Sequence, residues 1–327
     1  MSGVPVPWVR RYAERPGATR IVLCFPHAGG AASSFRGWAA HLPPDTEQWV
    51  VQYPGREDRI AHPVVDTMPG LVDAIMAHVA PALALPVVLF GHSMGASVAH
   101  EVALRLAAER PGLLSRLVVS ARPGPAEQRP RDEPVHLRDD AGLLAELTRL
   151  GGTAAAAFAD PALAELLLPP IRNDFRLIET YRAGAGVLDV EVVAIVGADD
   201  PSMPAESADA WAAATTGPFT RHTHPGGHFY LHDHLPEVIA QALPEGKPVA
   251  ETTPAELTIE GLRAAVAEVL SIPRDDVADD ASLFELGLDS MRMMMLSVRW
   301  QALGVEVPFA DLAEHPTIAD WAKLLNR

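Results

Sequence analysis

Short apolar runs rich in β-branched residues punctuate the first three quarters of the chain, and longer stretches with helical periodicity separate them. Ile21–Phe25, Trp49–Tyr53, Val87–Phe90, Leu117–Ser120 and Val190–Val196 read as buried strands. This alternation predicts a mainly parallel sheet covered by helices, an α/β fold. One helix is expected just after Ser93, through Glu101–Ala107. Residues 122–180 break the alternation with loops and amphipathic helices at Leu143–Leu150, Ala162–Leu168 and Ile171–Tyr181. An insertion of helices between late strands predicts a lid. The four alanines Ala154 to Ala157 read as further helix.

The periodicity changes character near residue 245. Pro244–Pro254 is rich in proline and polar residues and lacks apolar spacing, which marks a linker over about 246–255. Beyond it, Leu257, Leu262, Val266, Val269 and Leu270 repeat at helical spacing. Residues 290–302 and Thr317–Leu325 predict two more helices, giving a small all-α bundle over 256–327. Leu283, Phe284 and Leu286 are expected to plug its core. In the methionine cluster, spacing assigns Met291, Met294, Met295 and Val298 to the core side, and Arg292 and Met293 to a partner-facing side.

At 327 residues the chain accommodates a domain of about 240 residues and a module of about 70. Hydrophobic residues make up 48% of it, enough for true cores. No apolar run approaches the roughly 18 residues of a membrane span, and the first residues lack a signal peptide's apolar stretch, so a cytoplasmic protein is expected. The net charge of −16 argues against nucleic acid as a partner. From residue 256 onward, 13 acidic residues face 6 basic ones, which suits either solubility or docking to basic patches. Cys24 is the single cysteine, in an apolar strand, so it reads as a buried thiol.

Ser93 lies in Gly91-His92-Ser93-Met94-Gly95, between an apolar strand and a helix. Flanking glycines permit a strained turn that lifts the hydroxyl above the sheet edge and aims the Met94 backbone N–H at a nascent oxyanion. An alcohol is a weak nucleophile at neutral pH, so such a serine needs a base and an acid behind it. The strand Val190–Val196 leads to Asp199 and Asp200, and the loop His224–Phe229 offers His228. Asp200 is favoured over Asp199 as the group that holds the His228 tautomer. The five histidines between His222 and His234 have no recognised ligand spacing, so no metal is expected. The other four read as surface or helix-cap residues.

Residues 8 to about 243 resemble a type II thioesterase of nonribosomal peptide and polyketide pathways. The likeness rests on Phe25–Gly30, Tyr53–Glu57, Gly91–Gly95, Leu168–Phe175 and Gly226–Phe229. It implies an α/β-hydrolase over residues 1–245 with the lid at about 122–180. It also implies Ser93, Asp200 and His228 as the triad, and the Ala28 N–H as the second oxyanion donor beside Met94. Arg56 is open to two readings, as a contact for a pantetheine phosphate or as half of an ion pair in the surroundings of Glu57.

Ser290 sits in Leu286-Gly287-Leu288-Asp289-Ser290-Met291, where a loop becomes a helix. A helix N-terminus favours an incoming phosphate, yet a serine there also serves as a simple cap. Residues 256–327 resemble a phosphopantetheine-dependent carrier protein, nearest to aryl carrier domains, through Leu286–Ser290, Arg292–Met294, Arg299-Trp300, Pro316–Ile318 and Trp321. That likeness implies covalent 4'-phosphopantetheine on Ser290. It also implies as partners a phosphopantetheinyl transferase and the adenylating or other enzymes and carrier proteins of an assembly line.

The combined expectation is a serine-dependent thioesterase that strips acyl, aminoacyl or aryl groups from carriers and bears a carrier of its own. Two rivals stand beside it: transfer of the acyl group from Ser93 to an amine, alcohol or carrier thiol, and a carrier scaffold with little turnover. Type II enzymes usually stand alone and release thioesterases usually follow their carrier, so the order here departs from both.

Overall fold

The five expected strands form, and two more join them at the edges. The structure is a computed structural model describing residues 8–12, 15–128, 132–151, 158, 161–184, 186–243, 257–270, 272–301 and 309–325. In chain order the strands are β1 (Val9–Arg11), β2 (Arg20–Phe25), β3 (Thr46–Val51), β4 (Val87–His92), β5 (Leu114–Ser120), β6 (Glu191–Gly197) and β7 (Phe219–His224). They form one sheet in the order β1-β3-β2-β4-β5-β6-β7. All pairs are parallel except β1, which runs antiparallel to β3. Strands β2 and β4 lie inside the sheet with nearly every residue buried, which is why they read as continuous apolar runs. The two unexpected strands are edges. β1 has three residues, and β7 is largely polar and only partly buried, so neither carries an apolar run.

Alternate residues of these strands enter two cores. Leu23 and Leu89 join one with α1 (Met68–His78) and α2 (Met94–Glu109). Their neighbours Cys24, Val88 and Phe90 join the other, with Trp38 and with Val238 and Ile239 of α5 (Leu235–Ala242). Thr67 caps α1 by accepting from the Gly70 N–H at 3.4 Å.

The insertion holds α3 (Asp140–Arg149) and α4 (Pro161–Thr180). Where two helices were expected around Pro169-Pro170, one helix runs through both prolines. Each proline forfeits a backbone hydrogen bond. The apolar face of Leu168, Ile171 and Phe175 nevertheless packs without a break against Val135, Leu143 and Leu147, and that burial outweighs the loss. Ala154–Ala157 and the expected linker at 246–255 lie outside the described residues.

The chain divides into two compact units, Met1–Pro244 and Glu245–Arg327. The second contains α6 (Ile259–Leu270), α7 (Ser290–Gln301), α8 (Phe309–Glu314) and α9 (Ile318–Leu325). Its core gathers Leu262, Val266, Leu283, Leu288, Met293, Leu296, Trp300 and Trp321, with Trp300 edge-on to Trp321 at 5.3 Å. The phase of α7 differs from expectation. Met293 is buried, while Met294 and Met295 are 58% and 60% exposed, and Phe284 is exposed as well. Consecutive methionines carry no phase of their own; Leu288 at the helix entrance and Trp300 near its end set it. The side chains of Met291 and Val298 lie outside the described residues.

The first unit buries His92 and His100 as neutral groups. His100 on α2 is 1% exposed, lies edge-on to Trp211 at 5.2 Å, and has no hydrogen bond at either ring nitrogen among the described residues. Burial pushes its pKa down against the pull of Glu101. Burial likewise holds His92 well below its ordinary value. A folded-state pKa below the unfolded one makes the unfolded chain the better proton binder, so stability is full above about pH 6.5 and falls as pH drops through that value. A histidine wholly prevented from protonating costs at most about 2 kcal/mol between pH 7 and pH 5. Thermal melting is expected to fall across that range, and His100→Leu should reduce the fall by a few degrees. Equal pH slopes in the two proteins would remove His100 from this account.

Candidate active site

Strand β4 turns into α2 at Ser93, whose backbone is held at φ 56° and ψ −118°. A non-glycine residue at positive φ is strained, and it persists only where its surroundings fix it. Here the Ser93 N–H bonds the Ser120 carbonyl at 2.8 Å, and the Ser93 carbonyl accepts from the Ala96 N–H at 3.0 Å. The flanking glycines are there because α2 crosses too close for side chains. A Cβ on Gly91 would lie 2.2 Å from the Gly95 carbonyl oxygen, and one on Gly95 would lie 2.0 Å from that of Phe25.

The loops after β6 and β7 converge on this turn. His228 Nε2 lies 2.9 Å from Ser93 Oγ, and His228 Nδ1 lies 2.7 Å from Asp200 Oδ2. An imidazole that accepts from Ser93 at Nε2 carries its proton on Nδ1 and donates it to Asp200. Asp200 is buried at 7% exposure, while Asp199 is exposed. The structure thus joins Ser93, His228 and Asp200 in one chain of hydrogen bonds.

Ser202 was not anticipated. Its N–H and its hydroxyl both donate to Asp200 Oδ1, at 2.8 and 2.6 Å, and its oxygen lies 3.1 Å from His228 Nδ1. The signal was an Asp followed two residues later by Ser, a common local bonding pattern whose place beside the acid only the fold reveals. Burial acts to raise the Asp200 pKa, but the bond and charge of His228 and the two donors of Ser202 outweigh it and hold the carboxyl below its usual value. Near this carboxylate His27 and His92 stay neutral. Burial, then neighbouring His228, His232 and Arg56, takes His27 down to about 3. His92 bonds Ser120 Oγ at 2.9 Å, and that oxygen is 2.6 Å from the Tyr230 hydroxyl.

Met94 opens α2, so its N–H has no carbonyl one turn back. Among the described residues neither this N–H nor that of Ala28 has a hydrogen-bond partner. Both residues line the same cavity as Ser93 and His228, a space of about 800 Å³ walled by Leu147, Leu150, Leu167, Ile171, Phe175 and Phe229. Arg56 also lines it, but its guanidinium is taken. It forms a two-pronged pair with Asp174 on α4, at 2.6 and 2.9 Å, and not with the surroundings of Glu57. Burial alone would lower the Arg56 pKa, and the Asp174 carboxylate more than offsets this. Losing one partner of a buried pair costs about 3–5 kcal/mol.

The histidines near His228 take separate roles. His224, expected at the surface, is buried, stacks on Tyr230 at 5.6 Å and bonds Gln241 at 2.9 Å. Among the described residues no three His, Cys, Asp or Glu side chains are grouped to hold a metal ion.

In the second unit Ser290 is exposed and is the first residue of α7. Asp289 provides the cap instead, its Oδ1 accepting the Arg292 N–H at 2.9 Å. Gly287 takes a left-handed turn at φ 98°, and Arg292 Nη1 donates to its carbonyl at 2.8 Å. Arg292, expected to face a partner, braces this loop while staying exposed. An exposed serine oxygen on the first turn of a 12-residue helix fits attachment of a phosphate-linked arm.

Reaction of Ser93 with a fluorophosphonate probe tests the hydrogen-bonded chain. Asp200→Asn should slow labelling by about three to four orders of magnitude, since the amide favours the wrong His228 tautomer. Asp199→Asn should leave it within about twofold, and Ser202→Ala should slow it about tenfold, the value of one charge-assisted hydrogen bond. Equal rates for the two Asn variants would break the assignment of Asp200.

Known families match each of the two units. Residues 20–244 match the family described as thioesterase domain, and residues 260–325 match the phosphopantetheine attachment site. A probable cadicidin biosynthesis thioesterase of Streptomyces griseus is 43% identical over 72% of this chain and 66% of its own length. Thioesterase PikA5 of Streptomyces venezuelae is 39% identical over 71% of this chain and 82% of its own. Among solved structures, the type II thioesterase BorB from the borrelidin biosynthetic cluster superposes with a TM-score of 0.67 and 40% identity, over 73% of this chain and 97% of that one. By the match over residues 20–244 the chain belongs to the thioesterase family, α/β-hydrolases that act on thioester bonds, and by that over 260–325 it carries a phosphopantetheine attachment domain.

Proposed function

We propose that this chain frees acyl, aminoacyl or aryl groups from phosphopantetheinyl carrier proteins of a natural-product assembly line. The observation that carries the reading is the Ser93–His228–Asp200 chain on an apolar cavity beside two unengaged backbone N–H groups. His228 takes the Ser93 proton as Oγ attacks the thioester carbonyl carbon. The C=O pair moves onto oxygen, where the N–H groups of Met94 and Ala28 receive it. Collapse expels the thiol, which leaves with the proton from His228, and the acyl group stays on Ser93. His228 then takes a proton from water, the hydroxide attacks the ester, and the acid departs as the proton returns to Ser93. Asp200 stays ionised throughout and stabilises the imidazolium.

The same reading assigns residues 1–245 to the thioesterase, 246–255 to a linker and 256–327 to the carrier. Ser290 is the attachment residue, loaded from coenzyme A by a phosphopantetheinyl transferase. When bound, the arm supplies a thiol that holds acyl groups as thioesters. The other partners are adenylating enzymes and carrier proteins of the same line, and the site of action is the cytoplasm, where coenzyme A is at hand. Among the described residues no helix is long and apolar enough to cross a membrane. The relatives named for cadicidin biosynthesis and the borrelidin cluster support a biosynthetic setting.

Two measurements test this. Ser93→Ala should abolish hydrolysis of acyl-pantetheine thioesters with melting unchanged, and turnover above about a tenth of wild type would overturn the role of Ser93. Incubation with a transferase and coenzyme A should add one phosphopantetheine to the wild type and none to Ser290→Ala. A mass gain on another serine would move the attachment site.

A further inference from the structure

The lid helix reaches into the loop that carries Ala28. Asp174 on α4 is 3% exposed, and its Oδ2 accepts both the Gly29 N–H at 2.8 Å and Arg56 Nη1 at 2.6 Å. Its Oδ1 accepts Arg56 Nη2 at 2.9 Å, and Arg56 Nη1 also donates to the Gly30 carbonyl at 2.9 Å. Asp174 and Arg56 together therefore grip two consecutive glycines. Gly29 lies at φ 77°, and Ile171, one turn before Asp174, would sit 3.2 Å from a Cβ placed there. Elsewhere the loop is held from the side of β3. Tyr53 bonds the Pro26 carbonyl at 3.3 Å, and Gln52 accepts the Ala32 N–H at 2.8 Å. Those ties fix its two ends, and the lid carboxylate fixes its middle.

The position of that middle matters for chemistry. The peptide unit joining Ala28 to Gly29 is planar, so holding the Gly29 N–H orients the whole plane. Ala28 is its first residue, and the direction of the Ala28 N–H follows from how that plane and the Pro26 end are set. An ion pair serving only to fasten the lid would need Arg56 and no bond to a backbone N–H of this loop. A carboxylate shared between guanidinium and peptide couples lid and loop.

We propose that Asp174 is a positioning residue that keeps the Ala28 N–H aimed at the developing oxyanion, so that the lid completes the oxyanion site. The inference rests on the thioesterase reading of Ser93. It assigns Asp174 a part in stabilising the transition state without contact to the substrate.

The test uses the full chain, an acyl-pantetheine thioester, and a trifluoromethyl ketone analogue. Ser93 Oγ adds to the ketone carbon, and the carbonyl pair becomes an oxyanion seated between the two N–H groups. Asp174→Asn keeps the shape but turns an NH2 group toward one of the two donors. It should lower kcat by about ten- to a hundredfold with KM within about twofold, and weaken the analogue by the same factor as kcat. Leu168→Ala, which thins lid packing away from the carboxylate, should lower Tm while analogue affinity holds. Should Asp174→Asn fail to fold, Arg56→Lys takes its place, with a smaller matched loss in kcat and analogue affinity because the fork on Asp174 and Gly30 is gone. Wild-type kcat and analogue affinity in the variant that folds would overturn the proposal, as would a loss that Leu168→Ala reproduces at equal Tm. A wild type that neither hydrolyses the thioester nor binds the analogue would bring down the thioesterase reading and this inference with it.

Discussion

The close crossing of α2 over the ends of β2 and β4 is the constraint on which the rest of the first unit depends. It leaves no room for a side chain at Gly91 or Gly95, and it forces Ser93 into a backbone conformation that an L residue resists. The strain is held by bonds to Ser120 and Ala96 and by the buried strands on either side. Because Gly95 presses on the carbonyl of Phe25, the same crossing fixes where the chain leaves β2, and hence where Ala28 begins its loop. One contact therefore locates the Ser93 hydroxyl, the Met94 N–H and the root of the loop that carries Ala28. Parallel strands bring their carboxyl ends to one edge, so the loops after β6 and β7 deliver Asp200 and His228 to that edge without further device.

Electrostatically the site depends on restraint. Burial keeps His27 and His92 neutral, so neither would oppose a positive charge formed on His228. Of the arginines lining the cavity, Arg56 is the buried one, and Asp174 neutralises it. Behind His228 stands the carboxylate of Asp200, supported by Ser202. Beside apolar walls such as Leu147, Ile171 and Phe229, fixed N–H dipoles count for more than they would in water.

Much of this was legible in the residues, and the exceptions share a cause. Strands buried on both faces announce themselves, as do a glycine-bracketed serine and an ordered acid and base. Edge strands β1 and β7 do not, because half their surface faces solvent and their apolar signal is diluted. Ser202 gains its meaning only because the fold brings His228 to Asp200, and the pairing of Arg56 with Asp174 joins residues 118 apart in sequence. Local patterns hold no record of such distances. The continuity of α4 through Pro169-Pro170 and the phase of α7 fail for a related reason. Proline penalties and methionine runs are local statements, and burial against Val135 and Leu143 in one case, and Trp321 in the other, overrules them.

The two serines show how one local motif serves opposite ends. Each sits where a loop or strand meets a helix, next to backbone N–H groups that favour negative charge. Ser93 is strained, lines a cavity and bonds an imidazole, so it can lose its proton where it stands. Ser290 is exposed on a helix capped by its neighbour Asp289, and among the described residues no imidazole bonds its hydroxyl. A serine so placed has no means of activating itself, and on the proposed reading it borrows a base from the transferase that loads it. The exposed Phe284, Met294 and Met295 lie in the same loop and helix as Ser290. Leaving them in water has a cost, and pliable methionine surface is suited to visiting partners of different shape. On the proposed reading, chemistry is thus concentrated at Ser93, beside an imidazole and a carboxylate, and accessibility at Ser290, where the fold supplies only the oxygen and the helix behind it.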